Sequence, residues 1–161
     1  MKLRWGISRI TGNIDLLLKR SADGGLLLNM RNTVEANLRA QSVSHDGGQT
    51  WTAPEFLPEL VEARCQGSLL RYNWPDGKVP GRLLFSNPAG LRRRDLTVRV
   101  SRTDGKTWPV SRTLHEGPAA YSCLSVLPDK TIGCLYECGR THAYEKITFA
   151  RFPLGWVEGG N

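Results

Sequence analysis

Arginine and cysteine are the residue types in this chain whose placement first raises a question of chemistry. Arg92, Arg93 and Arg94 form the densest cationic cluster and run straight into the strand-like "DLTVRVS", so they stand at a strand mouth and not along a helix. A guanidinium is a planar fork of donors suited to anions, and the formal net charge of +7 points the same way. A basic surface concentrates nucleic acid, acidic lipid or acidic sugar. No aromatic residues are spaced as platforms for stacked bases, which argues against nucleic acid. The cysteines are Cys65, Cys123, Cys134 and Cys138. None forms a CxxC pair and Cys134/Cys138 has no second pair to complete it, so neither metal nor cofactor is expected. Cys123 and Cys134 fall in neighbouring strand candidates and read as small core residues of a reducing compartment, with a disulfide left open.

The elements that must position these residues are legible as a repeat. "SHDGGQTW" at 44–51 returns as "SRTDGKTW" at 101–108, each after alternating apolar residues. Placing Leu26 on Leu83 aligns Val43-Ser44 with Val100-Ser101, Gly48 with Gly105, and Thr50-Trp51 with Thr107-Trp108, without a gap. A third copy, "YSCLSVLPDKTIGCLYE" then "KITFARF", keeps the strands and lacks that turn. Each unit has an Asp-containing turn between its first strands: Asp23-Gly24, Asp76-Gly77 and Asp129-Lys130. There Asp accepts from following amides and Gly supplies a positive φ.

In the "SHDGGQTW" turn Asp46 should bind turn amides, Gly48 should take a strained angle, and Trp51 should return as an apolar plug. In the second copy Thr103 stands in the Asp position and Asp104 is shifted by one, so a looser or rearranged turn is expected. No helical periodicity is sustained. Four-stranded antiparallel units repeated at this spacing predict an all-β β-propeller. The chain reads as one domain over 1–161 with about three blades, near 12–60, 61–115 and 116–161. Strands are expected near 26–30, 36–44, 68–74, 81–87, 95–101, 121–127, 131–137 and 146–152. The start, "MKLRWGISRITGNIDLLLKR", is charged throughout, with only a three-leucine run, so neither a signal-peptide core nor a membrane span is expected there, and the compartment stays unknown.

The two turns resemble the Asp boxes of the sialidase (neuraminidase) family. The resemblance extends in order through "LLLNMRN", "SHDGGQTW", "CQGSLL", "LLFSNPAG" with "RRDLTVRVS", "GPAAYSCLSVL" and "IGCLYE". It implies part of a six-bladed propeller that removes terminal sialic acid from glycans and holds the sugar's carboxylate with three arginines. Arg31 resembles the second of these and Arg93 the third, with Arg92 and Arg94 left as rim charge. Tyr121 resembles the catalytic nucleophile, sialidases being the tyrosine exception among glycosidases. A neutral phenol needs a base and nearby cations, and an attacking group without a standing charge avoids repulsion from the substrate's own carboxylate. Asp15 falls where the family places a glutamate as that base, a departure by one methylene. Glu137 resembles the glutamate that orients the first arginine.

The first arginine and the acid aspartate are not matched, so the resemblance implies the C-terminal half of a sialidase. Its partners would be sialylated glycans together with a missing N-terminal half, or further copies of itself. Competing readings are a non-catalytic glycan-binding propeller or decayed remnant, and a basic scaffold for acidic proteins.

Overall fold

The computed structural model describes residues 16–31 and 37–159. The described chain forms ten strands: β1 (Leu16–Arg20), β2 (Leu26–Met30), β3 (Leu38–Ser44), β4 (Glu55–Val61), β5 (Ser68–Asn73), β6 (Arg82–Pro88), β7 (Arg94–Ser101), β8 (Val110–Val126), β9 (Ile132–Cys138) and β10 (Lys146–Phe152). A single helical turn, α1 (Leu154–Val157), follows. Within each of two groups, sheet β1-β2-β3-β4 and the run β5 to β10, every strand pairs antiparallel with its neighbours in sequence.

The run β5 to β10 divides at β8. As far as Pro118 this strand pairs with β7, and from Ala119 with β9. Gly117 bends it with φ of 93°, a conformation open to glycine without a Cβ clash, while the Gly117 amide donates to Asp95 Oδ1 at 2.8 Å. The second and third units therefore share one long strand. Sequence reading placed a strand only over 121–127, because Gly117-Pro118 looks locally like a break. It also passed over β1 and β4. The latter contains Pro58 and is an edge strand, where a proline costs no ladder bond.

Period-2 alternation sorts side chains onto the two faces of each sheet. On β6, Leu83 and Phe85 face the first sheet and pack with Leu27, Leu57 and Leu60. Leu84 faces the other way and packs with Val98, Val100, Cys134 and Tyr136. The middle layer is thus apolar on both faces, and each large side chain buried there contributes ~1.5–3 kcal/mol. Phe85 also meets Trp108 edge-on, with ring centroids 5.9 Å apart.

The first Asp box closes as its residues imply. Asp46 Oδ1 accepts from the amides of Gln49 and Thr50, both at 2.9 Å, and its Oδ2 accepts from Thr50 Oγ1 at 2.6 Å. These bonds, led by the Thr50 hydroxyl, hold the carboxyl well below the usual carboxylate range. Gly48 sits at φ 92°, and Trp51 Nε1 donates to the Gly48 carbonyl at 3.1 Å.

The second box is not looser. Thr103 Oγ1 accepts from the Thr107 amide at 2.9 Å, and Trp108 Nε1 donates to the Gly105 carbonyl at 3.1 Å. A hydroxyl does the carboxylate's work, and the displaced Asp104 turns outward. It accepts from Arg71 Nη1 on β5 and from the Ala22 amide in the β1–β2 turn, each at 2.6 Å. The irregular box has become a clasp between the first and second layers.

Candidate functional site

The Asp-box turns and the predicted site residues fall at opposite ends of the strands. Leu26 pairs with Ser44 and Met30 with Ala40, so Arg31, following Met30, lies at the end of the hairpin away from the first box. Arg93 immediately precedes β7, whose far end Ser101 opens the second box. Tyr121 and Glu137 likewise lie at the ends of the β8–β9 hairpin remote from the Asp129 turn.

Local backbone explains how Arg93 is aimed. Asp95 adopts φ 59° and interrupts the β7 ladder, while the Arg93 carbonyl accepts from the Ala119 amide at 3.0 Å. The bend leaves Arg92 and Arg94 exposed and Arg93 half-buried. The Arg93 guanidinium lies over the Tyr121 ring, 5.4 Å from its centroid. Nη2 donates to the Arg64 carbonyl at 3.2 Å, and Nη1 donates to Tyr144 Oη.

Tyr121 sits in the middle of β8, at an irregularity between Ala119 and Ser122 where the β9 register shifts. Its amide donates to Glu137 Oε2 at 3.2 Å, and the residue is 40% exposed. Below it, Gln66 brackets Ser122 with two bonds: Nε2 donates to the Ser122 carbonyl at 3.1 Å, and Oε1 accepts from the Ser122 amide at 3.0 Å. A hollow of about 260 Å³ opens beside Tyr121 and Glu137. A second, of about 370 Å³, opens beside Arg93 and Tyr144.

Arg31, Arg93 and Glu137 all act electrostatically on the buried Cys65. Burial pushes the Cys65 thiol up to about 11, with Arg93 and Arg31 pulling it down and Glu137 pushing it further up. All three charges are therefore within electrostatic reach of that sulfur. Arg31 Nε is buried with no hydrogen-bond partner among the described residues, which is costly unless something accepts from it. Asp15 lies outside the described residues.

Sequence reading missed Tyr144, the Arg64 carbonyl and the central place of Cys65. Arg64 holds φ 50°, which no sequence signal announces. The cysteine reading needs one correction: Cys65, Cys134 and Cys138 are buried, but Cys123 is exposed, and all four are free thiols. Cys123 pairs with Leu135 while Leu124 pairs with Cys134, so the two cysteines project from opposite faces. Among the described residues no group of His, Cys, Asp or Glu is placed to hold a metal ion, and no helix is long and apolar enough to cross a membrane.

A larger cleft, about 540 Å³, lies at the other end of the strands, beside Asp23, His45 and Asp104. Volume alone does not locate the chemistry, because the arginines and the exposed tyrosine of interest are absent from it.

Comparison with known proteins identifies the family. Residues 2–136 match the BNR repeat-like domain, and the chain belongs to that family. Its relatives are sialidases. It is 37% identical to the sialidase of Micromonospora viridifaciens over 142 residues, 86% of this chain and 21% of that protein. It is 38% identical to the sialidase of Bacteroides fragilis over 126 residues, 74% of this chain and 23% of that protein. The intramolecular trans-sialidase of Ruminococcus gnavus superposes with a TM-score of 0.75 at 24% identity, covering 91% of this chain and 34% of that one. The fold is that of the sialidase β-propellers, and the chain spans between a fifth and a quarter of the two bacterial sialidases it matches.

Proposed function

We propose that this chain carries the nucleophile side of an exo-α-sialidase site, acting on terminal sialic acid of glycoconjugates. The observation that supports it best is the Arg93 guanidinium set over the exposed Tyr121 ring, with Glu137 on the Tyr121 amide. In this reading the guanidinium forks of Arg93 and Arg31 take the substrate carboxylate. Tyr121 Oη attacks the anomeric carbon as its proton passes to a base, the aglycone oxygen leaves protonated, and water then cleaves the tyrosyl glycoside with retention. Asp15 is assigned the base role by its position in the family pattern. Glu137 orients the arginine side of the site and fixes the Tyr121 backbone. The family's acid and its first arginine are supplied, in this proposal, by a further propeller segment.

A fluorogenic sialoside tests the reading, assayed with the chain alone and with the chain joined to the upstream propeller segment of the M. viridifaciens relative. The chain alone should be weak or silent, since general acid–base help contributes ~10²–10⁴-fold. The joined protein should release sialic acid. Tyr121→Phe in it should lower the rate by at least ~10²-fold, and Arg93→Lys should mainly weaken binding because a point charge replaces the fork. Equal hydrolysis after Tyr121→Phe would overturn the tyrosine mechanism. The second reading is sialic-acid binding without hydrolysis, favoured by the aspartate at position 15 where the family has glutamate. Binding without release in the joined protein would establish it.

A further inference from the structure

Tyr144 has no part in the roles assigned above, yet its hydroxyl is a side-chain hydrogen-bond partner of Arg93. It lies in the turn between β9 and β10, and that turn is unusually well tied. Glu145 accepts from the amides of Arg140, Thr141 and His142 at 2.9, 2.8 and 2.7 Å, and from Thr141 Oγ1 at 2.5 Å. The carboxylate packs so closely that a Cβ at Gly139 would stand 2.6 Å from Glu145 Cδ and 1.9 Å from the His142 carbonyl oxygen. These bonds, led by the Thr141 hydroxyl, hold the Glu145 carboxyl down at about 2. Tyr144 is thus presented by a rigid turn, its ring braced by His142 with centroids 4.8 Å apart.

Tyr144 Oη accepts from Arg93 Nη1, and its ring centroid is 5.8 Å from the guanidinium carbon. With the Tyr121 ring at 5.4 Å and the Arg64 carbonyl on Nη2, the guanidinium is held from three sides. A guanidinium has five N–H donors, two on each terminal nitrogen. One hydrogen of Nη1 goes to Tyr144 and one of Nη2 to Arg64, so each terminal nitrogen retains one for a ligand.

We propose that Tyr144 is a positioning residue of the carboxylate clamp: its hydroxyl fixes the Arg93 fork so that the remaining donors on both terminal nitrogens face a ligand carboxylate. The ligand side of this inference rests on the sialic-acid reading. The positioning of Arg93 does not, so the two can fail separately. An arginine left free to swing loses rotamer entropy on binding, whereas one held in advance does not.

The test uses Tyr144→Phe, which keeps the ring, in the full chain. Because Tyr144 is 46% exposed, the variant should melt where the parent does. With ¹⁵N-labelled arginine, the parent should give resolved, slowly exchanging Nη signals for Arg93, and the variant should give averaged ones. Affinity is then measured for N-acetylneuraminic acid and for its methyl ester. The substitution should weaken binding of the acid on the order of tenfold, leave the ester unchanged, and have no effect in an Arg93→Ala background. Unchanged Arg93 signals, or equal loss for acid and ester, would overturn the inference. Averaged signals in the variant, with neither compound bound even by the chain joined to the upstream propeller segment, would uphold the positioning of Arg93 and sink the sialic-acid reading instead.

Discussion

Within the triplet Arg92, Arg93 and Arg94 the three side chains are chemically identical, and the backbone alone distinguishes them. The left-handed Asp95 and the bond from the Ala119 amide to the Arg93 carbonyl turn the middle residue inward, where Tyr121, Tyr144 and the Arg64 carbonyl meet it. The four thiols are sorted by the same kind of placement. Burial pushes Cys65 up to about 11 and Cys134 up to about 12, so both remain protonated near neutrality. Cys138 is buried and Cys123 is exposed. A thiol reagent at pH 8 should therefore modify one cysteine of the native chain rapidly and the other three only after denaturation. Cys123→Ser should remove the rapid phase, and a native chain with two or more rapid thiols would contradict the assigned burial.

At the scale of elements, the Asp turns differ in one instructive residue. Gly24 and Gly77 hold φ of 89° and 87°, but Lys130 holds 66° in the corresponding turn. A residue with a Cβ is strained there by ~1–2 kcal/mol. Lys130→Gly should consequently stabilise the chain, by up to ~1 kcal/mol after the added freedom of the unfolded glycine is subtracted. A lowered urea midpoint would refute this.

The β9–β10 turn makes a pH-dependent counterpart. Glu145 titrates in the folded chain at about 2, below its ordinary 4.5. A depressed carboxyl stabilises the fold fully above its unfolded pKa and loses that contribution as pH falls through the folded one. The Thr141 and His142 amide resonances should hold their positions down to about pH 4 and shift as pH approaches about 2. A shift centred near 4.5 would mean that the carboxylate is not tied as described.

The whole molecule is held by layers that each present two working faces. Phe85 is fully buried between the first and second layers, whereas Leu135, on the outward face of the third, is 49% exposed. Phe85→Ala should cost ~3–5 kcal/mol through lost burial and the cavity left behind, and Leu135→Ala should stay within ~0.5 kcal/mol. Equal effects in denaturant unfolding would mean that the layers are not packed in this order. Leu135 has Ile147 and Phe149 as neighbours on that outward face, 68% and 58% exposed. In the second layer the equivalent face bears Leu84 and is covered by Cys134 and Tyr136 of the third.

Repetition, alternation and turn chemistry are local properties, and they made the sequence by itself sufficient for the fold class, for most strands and for the Asp turns. They were also enough to single out Arg31, Arg93, Tyr121 and Glu137 through the family motifs that contain them. Local signals failed where the determining contact was distant in sequence. Nothing around Asp104 announces that it will bind Arg71 and Ala22 once Thr103 has taken over the box. Nothing near Gly117 shows that a bent strand will continue through it, because its amide partner is Asp95. The exposure of Cys123 follows from register, which shifts between Ala119 and Ser122 only when β8 meets β9. Tyr144 reaches Arg93 across most of the third layer's sequence. That juxtaposition is a property of packed sheets, and only the tertiary structure decided it.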